Sequence, residues 1–573
     1  MITSHRLTQN SQDSLFSGCP DAAALDVINA SQRSKTLLLL RLVYDRLPER
    51  LRSAGPAAAT LDLLESVRKS DSAAFDRLIA YPYVASGLVK CDRRLRARDT
   101  PQPVLGFLAA IGAAAAITAE QDFDLGAVPV SGTVHLPGLG TCRVGAETGS
   151  GSLTGRSGTV TLAGTPLPRD LTGDADGWSP VRRITGAFGG AGLPFDDLDP
   201  HRGIGMPVAP YTSAPQLADW SGIFATATRI LTDSHPGRAA QVATVLRALT
   251  PLLSERPGQG RSASAWQSYG AVAVTQPHDA TNFAATLVHE TQHSIFNGLL
   301  DLFDLYDPDD PSLYYSPWRA DPRPLRGIFH GCYAFIGVTD FWARACAGGI
   351  GGPRARYELV RTCLQLRRAL DTLGDSKALT SDGRHLVARM AQQLDQAERP
   401  SPAGRSHHLA DLATEDHRLS WRIRIVVPDP ALVGTAASAW HDGEPDPPVV
   451  GGESTLATGS DTFVPSSRIR HFGRLAGDED TSPDMPADDL LADQDHLAAV
   501  RAYGTAVHTG SGDPLAAWTG LALGGARLDS PASRLWRHRP ELVRAVHQEL
   551  LDRYDQTADP LELADWLARG LPG

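Results

Sequence analysis

His289-Glu290-Thr291-Gln292-His293 is the stretch that decides how the middle of this chain is built. It lies in an apolar run, residues 283–305, whose pattern predicts a single helix. Residues four apart lie on one face of a helix, so the imidazoles of His289 and His293 can converge on one cation. Glu290, one position further round, would stand beside that cation. The spacing therefore predicts a metal-binding helix.

Composition and charge argue against several classes of protein. The chain has 573 residues and a formal net charge of -11, which argues against a general nucleic-acid binder. Its six cysteines are scattered without a CxxC pair, as expected for reduced thiols in the cytoplasm. The first ten residues have no signal-peptide pattern. The longest aliphatic cluster, residues 37–43, contains Arg41 and is too short to cross a bilayer, so no membrane association is predicted.

Periodicity predicts a mainly α protein with a small β portion (α+β), a helical metalloenzyme core and no jelly roll. Helices are expected over 20–120 and 220–253, short strands near 125–185, and a strand at 271–275. Asp279 or Thr281 is the expected N-cap of the metal helix. Further helices are expected at 327–348, 356–374 and 383–397, and 417–427 fits either a helix or a strand.

Three regions are predicted from these patterns. Residues 1–430 would form the metal-dependent catalytic domain. Residues 431–487, rich in Pro, Gly, Ser and Asp, read as a linker or irregular loop. Residues 488–573 would form a small helical C-terminal region.

Two histidines hold a catalytic metal poorly, so a third ligand is expected. The zinc-protease pattern with Gly and His downstream fails, because Phe296 and Leu299 occupy those positions. A glutamate on the next helix is also missing, since no Glu occurs between Glu290 and Glu358. His330, on the next long helix, is the preferred third ligand, and Asp340 is the alternative. Three neutral imidazoles would leave open positions for an anionic bidentate co-substrate and dioxygen.

A proline-stiffened segment, residues 314–325, precedes His330 and carries Arg319 and Arg323. The planar guanidinium group suits a carboxylate, so this loop could hold a dicarboxylate such as 2-oxoglutarate. The alternative is that either arginine pairs with Asp321 or Asp309 and only fixes the loop.

The HETQH motif, the Tyr-Tyr-Ser-Pro-Trp-Arg-Ala-Asp-Pro-Arg-Pro loop and the segment from His330 to Trp342 resemble the HExxH-domain peptide-modification proteins of ribosomal peptide pathways. The resemblance covers roughly residues 15–430, including residues 419–424, and its specific part is 272–342. It implies an iron(II)- and 2-oxoglutarate-dependent peptide β-hydroxylase unrelated in fold to jelly-roll oxygenases.

Carried to this chain, the resemblance implies that His289, His293 and His330 bind iron and that Arg319 or Arg323 binds the distal carboxylate of 2-oxoglutarate. The partners would be dioxygen and a ribosomally synthesised precursor peptide. Two alternatives remain open. One is a zinc peptidase with Glu290 as general base, a residue that in an oxygenase would instead orient a ligand. The other is a non-catalytic protein that only binds a peptide or a partner enzyme.

Overall fold

The computed structural model describes residues 5–53, 55–130, 132–144, 149–254, 260–398, 404–451, 454–457, 466–477 and 486–571. Helices account for 59% and strands for 12% of the structure, which confirms a mainly α protein with a small β portion. In the described ranges the strands form sheets of two to five members rather than a jelly roll. No helix among these residues is long and apolar enough to cross a membrane.

The chain divides into two compact units, Met1–Asp304 and Leu305–Gly573. The first unit contains ten helices in the described ranges: α1 (Gln9–Phe16), α2 (Ala22–Arg46), α3 (Glu49–Arg52), α4 (Pro56–Ser70), α5 (Ser72–Ile79), α6 (Pro82–Arg96), α7 (Gln102–Thr118), α8 (Ala214–Ser234), α9 (Pro236–Val245) and α10 (Ala280–Leu300). The HETQH motif lies on α10, the last helix of this unit.

The strands of the first unit form three sheets. They are β1 (Phe123–Val130), β2 (Thr133–Leu136), β3 (Gly140–Arg143), β4 (Gly149–Arg156), β5 (Thr159–Leu162), β6 (Thr165–Pro166), β7 (Trp178–Pro180), β8 (Arg182–Ile184), β9 (Leu193–Phe195), β10 (Ala248–Leu252), β11 (Ser262–Ala263) and β12 (Ala271–Thr275). The sheet orders are β1-β4-β5-β6, β2-β3-β7 and β11-β12-β10-β9-β8. Strand β12 ends four residues before α10 begins, so this last sheet positions the helix that carries His289 and His293.

The helix expected over 220–253 is wrong at its C-terminal end. Helix α9 stops at Val245, and residues Ala248–Leu252 form β10, which pairs in parallel with β12. All five residues of β10 are buried. A short strand buried on both faces shows no alternation, so its apolar run could not be distinguished from the end of a helix.

Helix α10 begins as expected, because the Asp279 carboxylate accepts a hydrogen bond from the Asn282 amide at 2.6 Å. It ends at Leu300, five residues before the apolar run does. Leu305, although buried, belongs to the second unit, where its carbonyl accepts from the Thr380 amide at 3.1 Å. Hydrophobicity continues past the end of the helix because the chain passes from one core to another.

The second unit is almost wholly helical. Its elements are β13 (Leu313–Tyr314), β14 (Arg323–Pro324), α11 (Leu325–Ala347), α12 (Gly352–Gly374), α13 (Ser381–Ala397), α14 (Arg405–Ile425), β15 (Val426–Val427), α15 (Pro430–His441), β16 (Thr455–Leu456), α16 (Ser467–Ala476), α17 (Pro486–Ala492), α18 (His496–Thr509), α19 (Pro514–Gly525), α20 (Ser533–His538), α21 (Pro540–Tyr554) and α22 (Pro560–Ala568). The stretch 417–427 contains both predicted types of structure, with α14 ending where β15 begins.

The described part of 431–487 is not a plain linker, because it carries most of α15 together with β16 and α16. Phe472 on α16 is fully buried and shares one apolar core with Leu409 of α14 and Leu542 of α21. Residues 305–430 therefore pack with the C-terminal helices, whereas the sequence grouped them with residues 1–304. The predicted end of the catalytic domain at 430 does not coincide with the boundary between the compact units, at Asp304 and Leu305.

Candidate metal centre

The two histidines of the motif are brought together on α10. Their Nε2 atoms lie 3.1 Å apart, and the ring planes are nearly perpendicular at 88°. With metal–nitrogen distances of about 2.1 Å, two nitrogen ligands lie about 3.0 Å apart at a right angle and about 3.4 Å apart at a tetrahedral angle. The observed separation of His289 and His293 lies between these values and therefore fits two ligands of one cation.

The environment favours the form of histidine that binds metals. Burial lowers the pKa of His289, although the neighbouring Glu290 carboxylate opposes the shift. A metal ligand must be a neutral imidazole, since a protonated ring has no lone pair to donate. At neutral pH His289 is therefore ready to bind a cation without first losing a proton.

Glu290 is buried beside the pair, with only 2% of its surface exposed. Its Oε1 lies 4.0 Å from the Nε2 atom of His289. Its Oε2 is buried and has no hydrogen-bond partner among the described residues. Burying a carboxylate oxygen without a partner costs free energy, so a cation or a hydrogen-bond donor beside Glu290 would stabilise it.

Packing on another face of α10 fixes the helix. Gln292 Nε2 donates to the Gly18 carbonyl at 2.6 Å, and Arg238 Nη1 of α9 donates to the same oxygen at 2.7 Å. At Gly298, an added Cβ would lie 2.7 Å from Ile28 of α2, so glycine permits close contact between the two helices. These contacts hold the backbone that carries the two imidazoles.

His330 lies on the first two turns of α11, in the second unit. Burial, helped by the nearby charge of Arg326, lowers its pKa to about 4. It is therefore neutral at physiological pH, as a metal ligand must be. Its assignment as the third ligand stays a prediction.

Asp340, the alternative third ligand, also lies on α11. Its Oδ1 accepts a hydrogen bond from Arg344 Nε at 3.0 Å, one turn further along the helix. His330 and Asp340 are ten positions apart, which corresponds to about 15 Å along the helix axis. The two side chains are thus alternatives rather than joint ligands of one ion.

The arginine loop, residues 314–325, presents its two guanidinium groups differently. Arg323 Nη2 pairs with Asp321 Oδ1 at 3.0 Å, and its aliphatic stem packs against Gly327 on the first turn of α11. Arg319 is exposed and has no carboxylate partner within the described ranges. Asp321 therefore restrains Arg323, and Arg319 is the arginine with a guanidinium group available for an anionic ligand.

Distant residues of the same unit hold this loop in place. The Tyr315 hydroxyl lies 2.8 Å from His417 Nδ1, and the Tyr315 ring meets the edge of Trp421 at 5.2 Å. Arg424 donates a hydrogen bond to the Ala320 carbonyl. Residues 419–424, part of the predicted resemblance to the HExxH-domain proteins, thus lie on α14 and contact the arginine loop.

Trp318 anchors the centre of the loop to α11. Its ring stacks on Phe335 at 4.5 Å, with an interplanar angle of 10°. A side chain at Gly331 would overlap the Trp318 ring. Gly331 therefore leaves the space that the tryptophan of the loop occupies.

A second cluster of metal-binding residue types was missed by sequence reasoning. His135 of β2 and Asp196 and Asp199, which follow β9, each offer one ligand atom within 4.8 Å of the others. Both carboxylates are completely buried. The sequence signal was the run Asp196-Asp197-Leu198-Asp199 after a strand, but His135 lies some sixty positions away and only the fold brings it near.

Hydrogen bonds already satisfy this cluster. His135 Nε2 lies 3.0 Å from Asp199 Oδ2, and Asp196 Oδ1 accepts from the Leu198 and Asp199 amides at 3.0 and 2.8 Å. Tyr81 donates to the other oxygen of Asp196. Burial opposes the charge on His135, yet the Asp199 carboxylate raises the pKa of that histidine. The three groups could hold a cation, but they equally form a complete network that fixes the loop after β9.

Comparisons with known proteins assign no family. No protein-family model matches the chain, and a search of curated proteins found no similar sequence. The resemblance to the HExxH peptide-modification proteins therefore stays a prediction that depends on the motifs alone.

Proposed function

We propose that the chain is an iron(II)- and 2-oxoglutarate-dependent oxygenase that hydroxylates the β-carbon of a residue in a ribosomally synthesised peptide. The observation that carries the proposal is the 3.1 Å separation of the Nε2 atoms of His289 and His293 on one helix. The free guanidinium group of Arg319 and the motif resemblance support the choice of co-substrate. Dioxygen and a precursor peptide are the proposed partners, and the cytoplasm is the proposed compartment.

The donor set fits iron(II). His289 and His293 would bind the ion, with His330 as the third ligand and Asp340 as its alternative. When bound, iron(II) would supply the oxidising chemistry together with dioxygen and 2-oxoglutarate. Arg319 would bind the distal carboxylate of 2-oxoglutarate through bidentate, charge-assisted hydrogen bonds. Arg323, restrained by Asp321, would strengthen the positive field of the loop.

In an oxygenase Glu290 needs no proton-transfer role. Its buried carboxylate lies beside His289, where it would stabilise positive charge on the bound ion and its ligands. Exclusion of water around Glu290 would strengthen this interaction, because the local dielectric constant is low.

A second candidate function is a zinc peptidase, which the environment of Glu290 favours. A general base must accept a proton from a metal-bound water, and Glu290 Oε2 is buried without a hydrogen-bond partner in the described structure. The peptidase requires no arginine loop, whereas the oxygenase uses it. The loop therefore favours the oxygenase.

The experiment that separates these functions is a turnover assay on protein purified without oxygen. Iron(II), 2-oxoglutarate and oxygen are added, and succinate is measured with and without candidate precursor peptides. The oxygenase should form succinate, and a modified peptide should gain one oxygen atom in mass. Peptide cleavage with zinc and no succinate would establish the peptidase instead, and failure to bind any metal would favour the non-catalytic alternative.

A further inference from the structure

A small pocket in the first unit is lined by cations without matching acids. It lies between α2, the junction of α5 and α6, and the segments that precede β10 and β12. Its cavity volume is about 30 Å³, enough for a group the size of one or two water molecules. Arg33, Lys35 and Arg247 line it, and none of the lining residues is acidic. In a chain with net charge -11, this local excess of positive charge needs an explanation.

Only one of the three cations has a carboxylate partner. Lys35 Nζ lies 2.7 Å from Asp301 Oδ2, an oxygen that also accepts from Gln32 Nε2 at 2.8 Å. No acidic partner of Arg33 or Arg247 occurs in the part of the chain that the structure describes. The one hydrogen bond of the Arg247 guanidinium group there is a long one, 3.4 Å, to the Leu246 carbonyl.

The positive charges of Arg33 and Arg247 repel each other. Burial lowers the pKa of Arg247, Tyr269 opposes this shift, and the charge of Arg33 adds to it. Arginine stays protonated in proteins, so this mutual repulsion persists in the folded state. A partly buried guanidinium group without a counterion costs free energy that an anion between the two groups would offset.

No side chain in the pocket can supply the missing negative charge. Tyr269 has an ionisable hydroxyl, but burial raises its pKa well above the ordinary value. It is therefore neutral, and its hydroxyl donates to Asn29 Oδ1 at 2.9 Å. The residues that line the pocket therefore supply no counterion.

One of the residues that line the pocket, Trp266, is an exposed aromatic side chain. Trp266 is 39% exposed, and Lys35 Nζ lies 5.0 Å from the centre of its ring. A planar ring beside two guanidinium groups suits a ligand with an apolar body and a flat anionic end. The small cavity and the planar fork of arginine favour a carboxylate over a larger tetrahedral anion.

We propose that this pocket binds the carboxylate of an organic acid between Arg33 and Arg247, with the apolar body of the acid against Trp266. It is separate from the histidine pair. Gly298 faces α2, whose residues line the pocket, and the helical repeat places Gly298 about 140–180° around α10 from His293 and His289. The pocket is independent of the proposed oxygenase activity.

The test uses the full-length protein, stripped of metals with EDTA so that the histidine pair cannot bind an acid through an ion. Thermal unfolding is followed at constant ionic strength with benzoate, acetate or inorganic phosphate. At ten times its Kd, benzoate should raise the Tm by about 2 °C. Acetate should bind more weakly because it lacks the apolar body, and Trp266→Ala should weaken benzoate binding but not acetate binding.

Arg33→Gln and Arg247→Gln should each weaken benzoate binding tenfold or more. Arg229→Gln, at an exposed position of α8, is the matched control and should respond as the wild type does. Without ligand, the Arg33→Gln and Arg247→Gln variants should be as stable as the wild type or more so, because each removes an unneutralised charge.

Three results would overturn the proposal. The first is a full response to benzoate in Arg247→Gln. The second is a loss of stability without ligand in both pocket variants, which would show that the arginines are structural. The third is a response to phosphate that equals or exceeds the response to benzoate, which would exclude a carboxylate site.

Discussion

Glu290 is the residue whose chemical role differs most between the two candidate functions. Replacing it by glutamine keeps its shape but removes its ability to accept a proton. In the oxygenase, Glu290→Gln should retain iron binding and lower succinate formation by about tenfold or less. In a peptidase, the same change should lower the cleavage rate by at least about 100-fold, because the general base is lost. Parallel assays of both activities, with metal content as the control, check this prediction.

Arg319 and Arg323 form a matched pair for testing how the co-substrate is held. Arg319→Gln should weaken 2-oxoglutarate binding by about 10- to 100-fold, the loss expected for a charge-assisted hydrogen bond. Arg323→Gln should weaken it only a few-fold, because Asp321 already occupies that guanidinium group. Anaerobic titration of the iron-loaded variants with 2-oxoglutarate measures both constants. The reverse order would assign the role to Arg323.

The sequence could predict these two arginines but not which of them pairs with a carboxylate. A rigid loop with two arginines was evident from its prolines, whereas the Arg323–Asp321 pair depends on the turn that brings the two side chains within 3.0 Å. The i,i+4 spacing likewise predicted that His289 and His293 converge, because it depends only on helix geometry. The His135–Asp196–Asp199 cluster was missed because His135 on β2 is far in sequence from the two aspartates after β9, and only the fold brings them together.

At the scale of single elements, α14 is held by ion pairs that depend on pH. Glu415 accepts hydrogen bonds from Arg418 at 2.7 Å and Arg368 at 2.6 Å. Burial opposes ionisation, but the two guanidinium groups lower the pKa of Glu415 to about 2. A carboxyl group whose pKa is lower in the folded state stabilises the fold above its unfolded pKa, near 4.5. That stabilisation is lost as the pH falls toward 2.

We therefore expect Glu415→Gln to lower the free energy of unfolding at pH 7. The difference from the wild type should shrink as the pH falls from about 4.5 to about 2. Urea unfolding at a series of pH values measures it. Glu549→Gln is the control, because the pair of Glu549 with Arg553 is long, at 3.9 Å, and exposed. A difference independent of pH would show that the Glu415 charge does not stabilise the fold.

Arg468 on α16 joins four helices of the second unit. It donates to Asp416 of α14 and, at 2.6 Å, to Asp488 of α17, and it stands 5.1 Å from the ring centre of Tyr503 on α18. Only 3% of its side chain is exposed. Removing one member of a buried charge network leaves the others unneutralised, at a cost of about 3–5 kcal/mol.

Arg468→Met should therefore lower the free energy of unfolding by that amount. Arg470→Met, two residues further on the exposed side of α16, should change it by less than about 0.5 kcal/mol. Chemical denaturation of both variants compares them. Equal effects would mean that the network adds nothing beyond ordinary surface interactions.

At the scale of the whole molecule, sequence patterns predicted the class of fold better than the boundary between the two compact units. Caps and periodicity identified α10 to α13 within a few residues, because these features are local. The helix at 356–374 was among them, but periodicity does not say which distant helix covers its apolar face. Tyr357 and Leu419 share a core with Leu521 and Leu542, which is why residues 305–430 pack with the C-terminal helices.

The central claim is that His289 and His293 bind one iron(II) ion, and an anaerobic binding titration tests it most directly. The wild-type protein should bind one equivalent of iron(II), and His508→Ala, at an exposed position of α18, should behave identically. His289→Ala and His293→Ala should each weaken binding by about 100-fold or more, because each removes a ligand. A wild-type protein that binds no iron(II), or unchanged binding after replacement of either histidine, would contradict this account.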